Sequence, residues 1–261
     1  LGIFMNIGAL VFLGCPFRLI LRLANGDLNA VVGLAGFIVG ILIGIVFLKR
    51  GYTLGRNHPQ HKISGYIMPA FAVLLLIFLI VKPDFIFFST EGPGSKHAPV
   101  LIALLVGCVV GFILQRTRRC SAAAFRDLFL IKNTHFLWGI VGMFGAALIA
   151  NLTFGGSFNL GFADQPVAHS MHIWNFLGMA LVGLLAIMLG GCPIRQTILS
   201  AEGDADAGIT IFGLMVGAAV AHNFGLAASP DGVPVNGQIA LIICIVLTLI
   251  IAFAASRGVD D

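Results

Sequence analysis

Charged side chains are scarce in this chain. Only 10% of its 261 residues are charged, whereas 59% are hydrophobic and the mean hydropathy is +1.03. A soluble domain carries about 25% charged residues. The composition therefore excludes an ordinary soluble domain and predicts an all-α, polytopic membrane protein. The net charge of +4 does not indicate a nucleic-acid partner, because Lys and Arg on cytoplasmic loops would produce it.

Two kinds of motif are also missing. The five cysteines form no C-x-x-C pair, so neither a dithiol redox motif nor a zinc site is predicted. No nucleotide-binding motif occurs, which argues against a chain that drives transport with its own ATPase. We therefore expect no metal, no cofactor and no enzymatic activity.

The chain does contain an internal repeat. The stretch G-C-P-F-R at 14–18 returns as G-C-P-I-R at 191–195, and the offset of 177 residues also aligns a later Gly-Asp pair and two downstream glycines. Such a repeat predicts two copies of one structural unit. Within a single transmembrane domain, 1–261, we place the copies around 1–81 and 171–258, with 98–154 as an arginine–cysteine unit belonging to the second half.

Each Cys-Pro pair is predicted to begin a half-helix, a helix too short to cross the bilayer. Pro suits the first position of a helix and Gly its end, and Asp27 and Asp204 can then cap the helix that follows. Cys120, after the arginine-rich turn at 115–119, is predicted to precede a third half-helix. All three half-helices are expected to be re-entrant.

Apolar runs of the length needed to span a bilayer surround these motifs. The basic loops at 49–65 and 115–132 are predicted to face the cytoplasm. With re-entrant half-helices, five spans separate the two Cys-Pro motifs. An odd number of spans places the second copy in the opposite orientation across the membrane. Inverted repeats with broken helices are typical of transport pathways. The predicted spans are Leu28–Leu48, Tyr66–Val81, Ala98–Leu114, Phe136–Phe154, Met171–Gly190, Ile209–Ala227 and Gln238–Ala255.

The cysteines of the half-helices are the predicted binding groups. A thiol at a helix N-terminus lies where free N–H groups and the helix dipole favour negative charge, and it is itself a weak hydrogen-bond donor. Arg18 and Arg195 follow Cys15 and Cys192 by about one turn. With Cys120, these residues predict a site for a small, polarisable anion. The alternatives are a packed cysteine beside a helix-breaking proline and, for the arginines near Cys120, a cytoplasmic membrane anchor.

Polar residues inside predicted spans are further candidates. His222 and Asn223 are included among the predicted substrate-binding residues, with hydrogen bonding between helices as the alternative. His58 and His61 belong to a polar loop and are predicted to be solvated.

At these motifs the chain resembles the YeeE/YedE membrane family. The resemblance is carried by G-G-C-P-I-R-Q at 190–196, E-G-D-A-D-A at 202–207 and A-H-N-F-G-L at 221–226, which are most similar to the YedE branch associated with selenium metabolism. The resemblance implies uptake of thiosulfate or a selenium-containing anion, passed between cysteines 15, 120 and 192. It implies a multi-pass protein of the bacterial inner membrane, with the lipid bilayer and a small cytoplasmic sulfur-carrier protein as partners.

A transporter or channel for a sulfur or selenium anion is the leading hypothesis. A membrane thiol enzyme and a scaffold in sulfur or selenium metabolism are the alternatives. One element of the family pattern, a further cysteine near the N-terminus, is absent here, and the apolar run before Cys15 is too short to cross a bilayer. We therefore expect the natural protein to be longer at its N-terminus by roughly 60 to 90 residues, about one span and one arginine–cysteine half-helix.

Overall fold

Eleven α-helices account for most of the residues that the computed structural model describes, which are 1–55, 60–86, 95, 98–155 and 158–256. The described part of the chain contains no β-strand, and a π-helical turn, Asn151–Gly155, extends the seventh helix. The helices are α1 (Gly2–Phe12), α2 (Pro16–Ala24), α3 (Asn29–Lys49), α4 (Lys62–Val81), α5 (Val100–Thr117), α6 (Ser121–Ile131), α7 (His135–Ala150), α8 (His172–Met188), α9 (Pro193–Ala201), α10 (Ala205–Asn223) and α11 (Val235–Ser256).

The predicted all-α membrane fold is confirmed. Within the described residues, eight helices or helix pairs are long and apolar enough to cross a membrane, by length and composition. Three of them are pairs in which a half-helix follows the preceding helix after a short break: α1 with α2, α5 with α6, and α8 with α9. The predicted loop histidine His58 lies outside the described residues.

Glycines bring the central helices α1, α3, α8 and α10 into close contact. A Cβ on Gly40 of α3 would overlap the carbonyl oxygen of Ala180 in α8. A Cβ on Gly217 of α10 would come within 2.8 Å of the carbonyl oxygen of Ile3 in α1. Gly217 is the repeat equivalent of Gly40, and Ile3 is the repeat equivalent of Ala180. The same contact between helices therefore occurs twice. Close approach of backbones at small residues is how helices associate in lipid.

The equivalent helices α1 and α8 of the repeat run in opposite directions. Gly8 of α1 packs on Gly178 of α8. Val11, near the end of α1, accepts a hydrogen bond at 2.8 Å from His169, which lies just before α8 begins. The helices α1 and α8 are therefore antiparallel, which is the arrangement that an inverted repeat predicts.

Side chains satisfy the carbonyl groups that are left free where α1 and α8 end. The last carbonyls of a helix have no partner within it, and inside a membrane water cannot replace that partner. Arg22 Nη1 donates to Phe12 O at 2.8 Å, and Gln196 Nε2 donates to Leu189 O at 2.7 Å. Phe12 and Leu189 are equivalent positions of the repeat. Their carbonyl oxygens therefore accept from different kinds of residue in the two copies.

The helices α5 and α7 lie at the periphery. Neither helix has a buried residue, although the structure describes every residue of both. They form one side of the cavity described below, while the other side belongs to the packed centre.

We expect Gly40→Val to destabilise the protein by about 1–3 kcal/mol, the usual cost of overpacking a tight contact. Gly107→Val on α5 is the matched control, because a Cβ there meets nothing within 4 Å and the intrinsic helix propensity changes equally. Thermal unfolding of the purified proteins in detergent would compare them. Equal midpoints for the two variants would contradict the close α3–α8 contact.

The stability of the protein should also fall in acid because of His169. Burial lowers the pKa of His169 below its usual value, and the nearby Arg22 and His172 act in the same direction. Its Nδ1 accepts a hydrogen bond from the backbone N–H of Met171, so the neutral ring is the form that fits. Because the unfolded chain binds this proton more readily, the free energy of unfolding should decrease as the pH falls below about 6.5.

His169→Gln retains a side-chain N–H for Val11 O and cannot titrate. Unfolding midpoints measured at about pH 5 and about pH 8 should differ less in this variant than in the parent protein. A parent and a variant with the same pH dependence would rule out this role for His169.

Candidate functional site

Two half-helices of nine residues each, α2 and α9, begin at equivalent positions of the repeat. Cys15 and Cys192 precede them in extended conformation, and proline occupies the first helical position. Each half-helix is followed by a glycine with positive φ, 92° at Gly26 and 96° at Gly203, a conformation that glycine adopts readily. The Cys-Pro and Gly-Asp elements therefore mark the two ends of a half-helix, as predicted.

The aspartates that follow these glycines accept hydrogen bonds from the start of the next helix. Asp27 Oδ1 accepts a hydrogen bond from Asn29 N, and Asp204 Oδ1 accepts one from Ala207 N, both at 2.9 Å. The predicted capping role is confirmed for Asp204, which is the N-cap residue of α10. Asp27 lies one residue before the N-cap of α3, which is Leu28. Asp27 also forms a buried ion pair with Arg22, at 2.6 Å, which the sequence analysis did not identify.

Each glycine before a Cys-Pro pair makes room for the arginine of the same motif. A Cβ on Gly14 would lie 3.0 Å from the side chain of Arg18, and one on Gly191 would lie 3.0 Å from that of Arg195. The arginine stem therefore folds back over the turn in both copies. This contact accounts for the G-C-P-x-R spacing, because a larger residue in place of glycine would displace the arginine.

The third cysteine, Cys120, also precedes a half-helix. The helix α5 ends at Thr117, its C-cap residue Arg118 has a positive φ of 50°, and the chain restarts as α6 after Cys120. The backbone N–H of Cys192 donates to Cys120 Sγ at 3.4 Å. The backbone N–H groups of Ala122 and Ala123 also face this sulfur. The sulfur of Cys120 is thus directed at free donors from two half-helices.

Cys120 and Cys192 form one pair of buried thiols. They are 7% and 2% exposed and are hydrogen-bond neighbours. Both line a cavity of about 280 Å³, which we call the thiol cavity. Its wall is largely apolar, with Arg119 as its charged residue among the described residues. Other residues of the wall are Phe17, Ile113, Ser121, Phe136, Ile140, Met143 and Ile194.

The remaining cysteine of the predicted set lies apart from this pair. Cys15 is half-buried at the start of α2 and does not line the thiol cavity, although Phe17 of the same half-helix does. Arg18 is exposed and lines a second cavity, of about 450 Å³, which we call the arginine cavity. Arg195 lines neither cavity, and its Nη1 is buried without a hydrogen-bond partner among the described residues.

His222 and Asn223 are not brought to the cysteines. Both are exposed near the end of α10 and line neither cavity, and Asn223 Nδ2 bonds to Ala219 O within its own helix. The capping by Asp204 starts α10 at Ala205, four residues before the predicted span. The pair consequently lies at a helix end, where the sequence analysis placed it inside a span.

Arg119 is a further residue of the site, which the sequence pattern does not separate from its neighbours Arg116 and Arg118. Arg119 Nη1 donates to Phe136 O at 3.2 Å, and its guanidinium occupies the space that a side chain at Gly139 would need. The sequence signal that could have identified it is this glycine in α7.

The fold and the paired thiols define a multi-pass membrane protein with cysteines at the starts of half-helices. The chain belongs to the YeeE/YedE family, since the sulphur transport family model matches residues 116–257. The matched region includes Cys120 and Cys192.

The thiosulfate transporter TsuA of Escherichia coli (strain K12) is a relative, 30% identical over 125 residues. The aligned part covers 46% of this chain and 34% of the relative, so the chain spans about a third of the length of the curated relative it matches. No solved structure matches the chain.

The neighbouring thiols predict that Cys120 and Cys192 can be joined by oxidation. In a protein with Cys15, Cys108 and Cys244 replaced by Ser, a copper–phenanthroline oxidant should remove two electrons and two protons and leave a disulfide. Peptide mapping without reductant would detect the 120–192 cross-link, and dithiothreitol should reverse it. The protein with Cys108 and Cys192 as its only cysteines is the control, because Cys108 is exposed on α5. Equal cross-linking of both pairs would contradict the geometry.

Proposed function

We propose that this protein transports a small sulfur-containing anion of the thiosulfate class across the bacterial inner membrane. The observation that carries the proposal is the pair of buried thiols at the starts of two half-helices, both lining one cavity. Family membership and the thiosulfate transporter relative support the same substrate class. A small cytoplasmic sulfur-carrier protein is the acceptor we expect on the inner side.

The chemistry of the thiol cavity suits a polarisable anion. Each S–H can donate a weak hydrogen bond, and the helix N-termini contribute partial positive charge. Arg119 adds a full positive charge at the wall. Weak donors hold an anion without trapping it, and conduction requires binding that is weak enough for release.

The composition of the wall favours transport over thiol catalysis. One way in which a thiol enzyme activates its nucleophile is an adjacent general base. The described residues that line the thiol cavity include no carboxylate and no imidazole. A covalent persulfide on Cys120 or Cys192 after exposure to thiosulfate, found by mass spectrometry, would favour the enzyme instead.

The function is tested by uptake of radiolabelled thiosulfate into proteoliposomes that contain this protein alone. Uptake that needs no other protein would exclude a scaffold role. Unlabelled thiosulfate, selenite and sulfate would each be added as competitors of the labelled thiosulfate. Thiosulfate should compete best if the soft terminal sulfur is recognised, whereas stronger competition by selenite would indicate a selenium substrate.

The thiols should be required for uptake. Cys120→Ala and Cys192→Ala should each reduce uptake at low substrate concentration about tenfold or more, because a hydrogen bond to a charged group is worth about 1.5–3 kcal/mol and 1.4 kcal/mol is a factor of ten. Cys15→Ala should also reduce uptake, because Cys15 precedes α2, whose Phe17 lines the thiol cavity.

Cys244→Ala is the matched control, since Cys244 is equally buried, on α11, and lines neither cavity. Its uptake should remain at the parent level. The proposal fails if the Cys120 and Cys192 variants retain the uptake of the Cys244 variant.

A further inference from the structure

The arginine cavity lies on another face of α2 from the thiol cavity. Phe17 lines the thiol cavity and Arg18 lines the arginine cavity, and adjacent residues of a helix point about 100° apart. The other walls come from α7 and from the segment before α8, through Ala147 and Val167. The half-helix α2 therefore separates two spaces, of which only one contains the thiol pair.

A buried arginine with unused donors forms part of the arginine cavity. Arg22 is 6% exposed and is held by Asp27 through Nε, by Phe12 O through Nη1 and by the Phe12 ring beneath it at 4.2 Å. Its Nη2 is buried without a hydrogen-bond partner among the described residues. A guanidinium always carries its charge and has five N–H groups, so both N–H groups of Nη2 lack an acceptor among the described residues. The three fixed contacts leave this donor in one orientation.

The charges at the cavity favour an anion. Arg18, Arg22 and Asp27 are the ionisable groups among its described lining residues, which gives one net positive charge. Both oxygens of Asp27 are already occupied, Oδ2 by Arg22 and Oδ1 by the backbone and side-chain nitrogens of Asn29. Exposed Arg18 can move toward a ligand, whereas Arg22 cannot.

The segment that covers the cavity is held in place and strained. Gln165 Nε2 donates to Asn159 O at 2.7 Å and to Gly161 O at 3.0 Å, and Gly161 in turn bonds to the turn between α2 and α3. Val167 has a φ of 54°, a left-handed conformation that a β-branched residue rarely adopts. Strained residues that persist in a fold are typical of binding sites.

We propose that the arginine cavity is a second anion site, in which Arg22 Nη2 anchors a small oxyanion before or after it occupies the thiol cavity. The identity of that anion as the transported one rests on the proposed function. An oxyanion presents several acceptor oxygens, which suits the two N–H groups of Nη2 and the mobile guanidinium of Arg18. The free Oε1 of Gln165 is an acceptor and is suited to a water molecule or to a proton on the ligand.

Val167 provides a matched test of charge. Asn and Asp both tolerate the left-handed conformation better than Val, and they are nearly isosteric, so Val167→Asn and Val167→Asp differ chiefly by one negative charge at the cavity wall. The KM for thiosulfate should be about fivefold higher in the Asp variant than in the Asn variant, the factor expected of one unit charge at contact distance in a wet site, with little difference in the maximal rate.

A binding measurement separates this site from the thiols. In a Cys120→Ala/Cys192→Ala background, sodium thiosulfate or sodium sulfate at constant ionic strength should still raise the unfolding midpoint, because a ligand that binds only the native state stabilises it. Adding Val167→Asp should remove most of that shift, and adding Val167→Asn should preserve it.

The outcomes distinguish the two proposals. If thiosulfate uptake occurs but the Asp and Asn variants have equal KM values and equal anion-dependent shifts, the cavity holds water only and the second site is wrong, while transport stands. If the parent protein takes up no thiosulfate but the shift is present and is lost with Val167→Asp, the anion site stands and the proposed function is wrong.

Discussion

The structure depends on one constraint, which is that a helix broken inside a membrane leaves backbone groups that no water can satisfy. The chain breaks helices before Cys15, Cys120 and Cys192, and each break creates free carbonyls on one side and free N–H groups on the other. Arg22, His169 and Gln196 satisfy carbonyls at the ends of α1 and α8. These polar residues are buried in a largely apolar core, where each satisfies a carbonyl near a helix end.

The same breaks position the candidate site. A helix that restarts in the membrane directs its first N–H groups inward, and in this chain a cysteine stands at each restart. Cys120 Sγ accepts the N–H of Cys192, so a soft acceptor occupies the place that an anion would otherwise take at a helix start. The thiol pair therefore takes part in the backbone hydrogen bonding at the start of a half-helix, and it contributes to the polar surface of the cavity.

Much of the fold could be predicted because the half-helices are marked at both ends by residues with local requirements, Pro at the start and Gly at the end. The contact between Cys120 and Cys192 could not be predicted. These residues are 72 positions apart in the sequence, and their contact depends on how α6 packs against the central helices. The position of His222 near the end of α10 could not be predicted either, because apolar composition alone does not show where a helix ends. The ion pair of Arg22 and Asp27 depends on the turn at Gly26, which places residues five apart in contact.

The two copies of the repeat satisfy an equivalent carbonyl group with different donors. Phe12 O and Leu189 O both require a hydrogen-bond donor, which is Arg22 in the first copy and Gln196 in the second. The repeat partner of Arg22 is Leu199, and that of Gln196 is Leu19. Duplication has thus preserved a backbone requirement while the residue that meets it has moved by one turn. The half-helices are not interchangeable modules: a chimera with the α9 sequence in place of α2 would still supply a donor for Phe12 O, but it would leave the buried carboxylate of Asp27 without its countercharge.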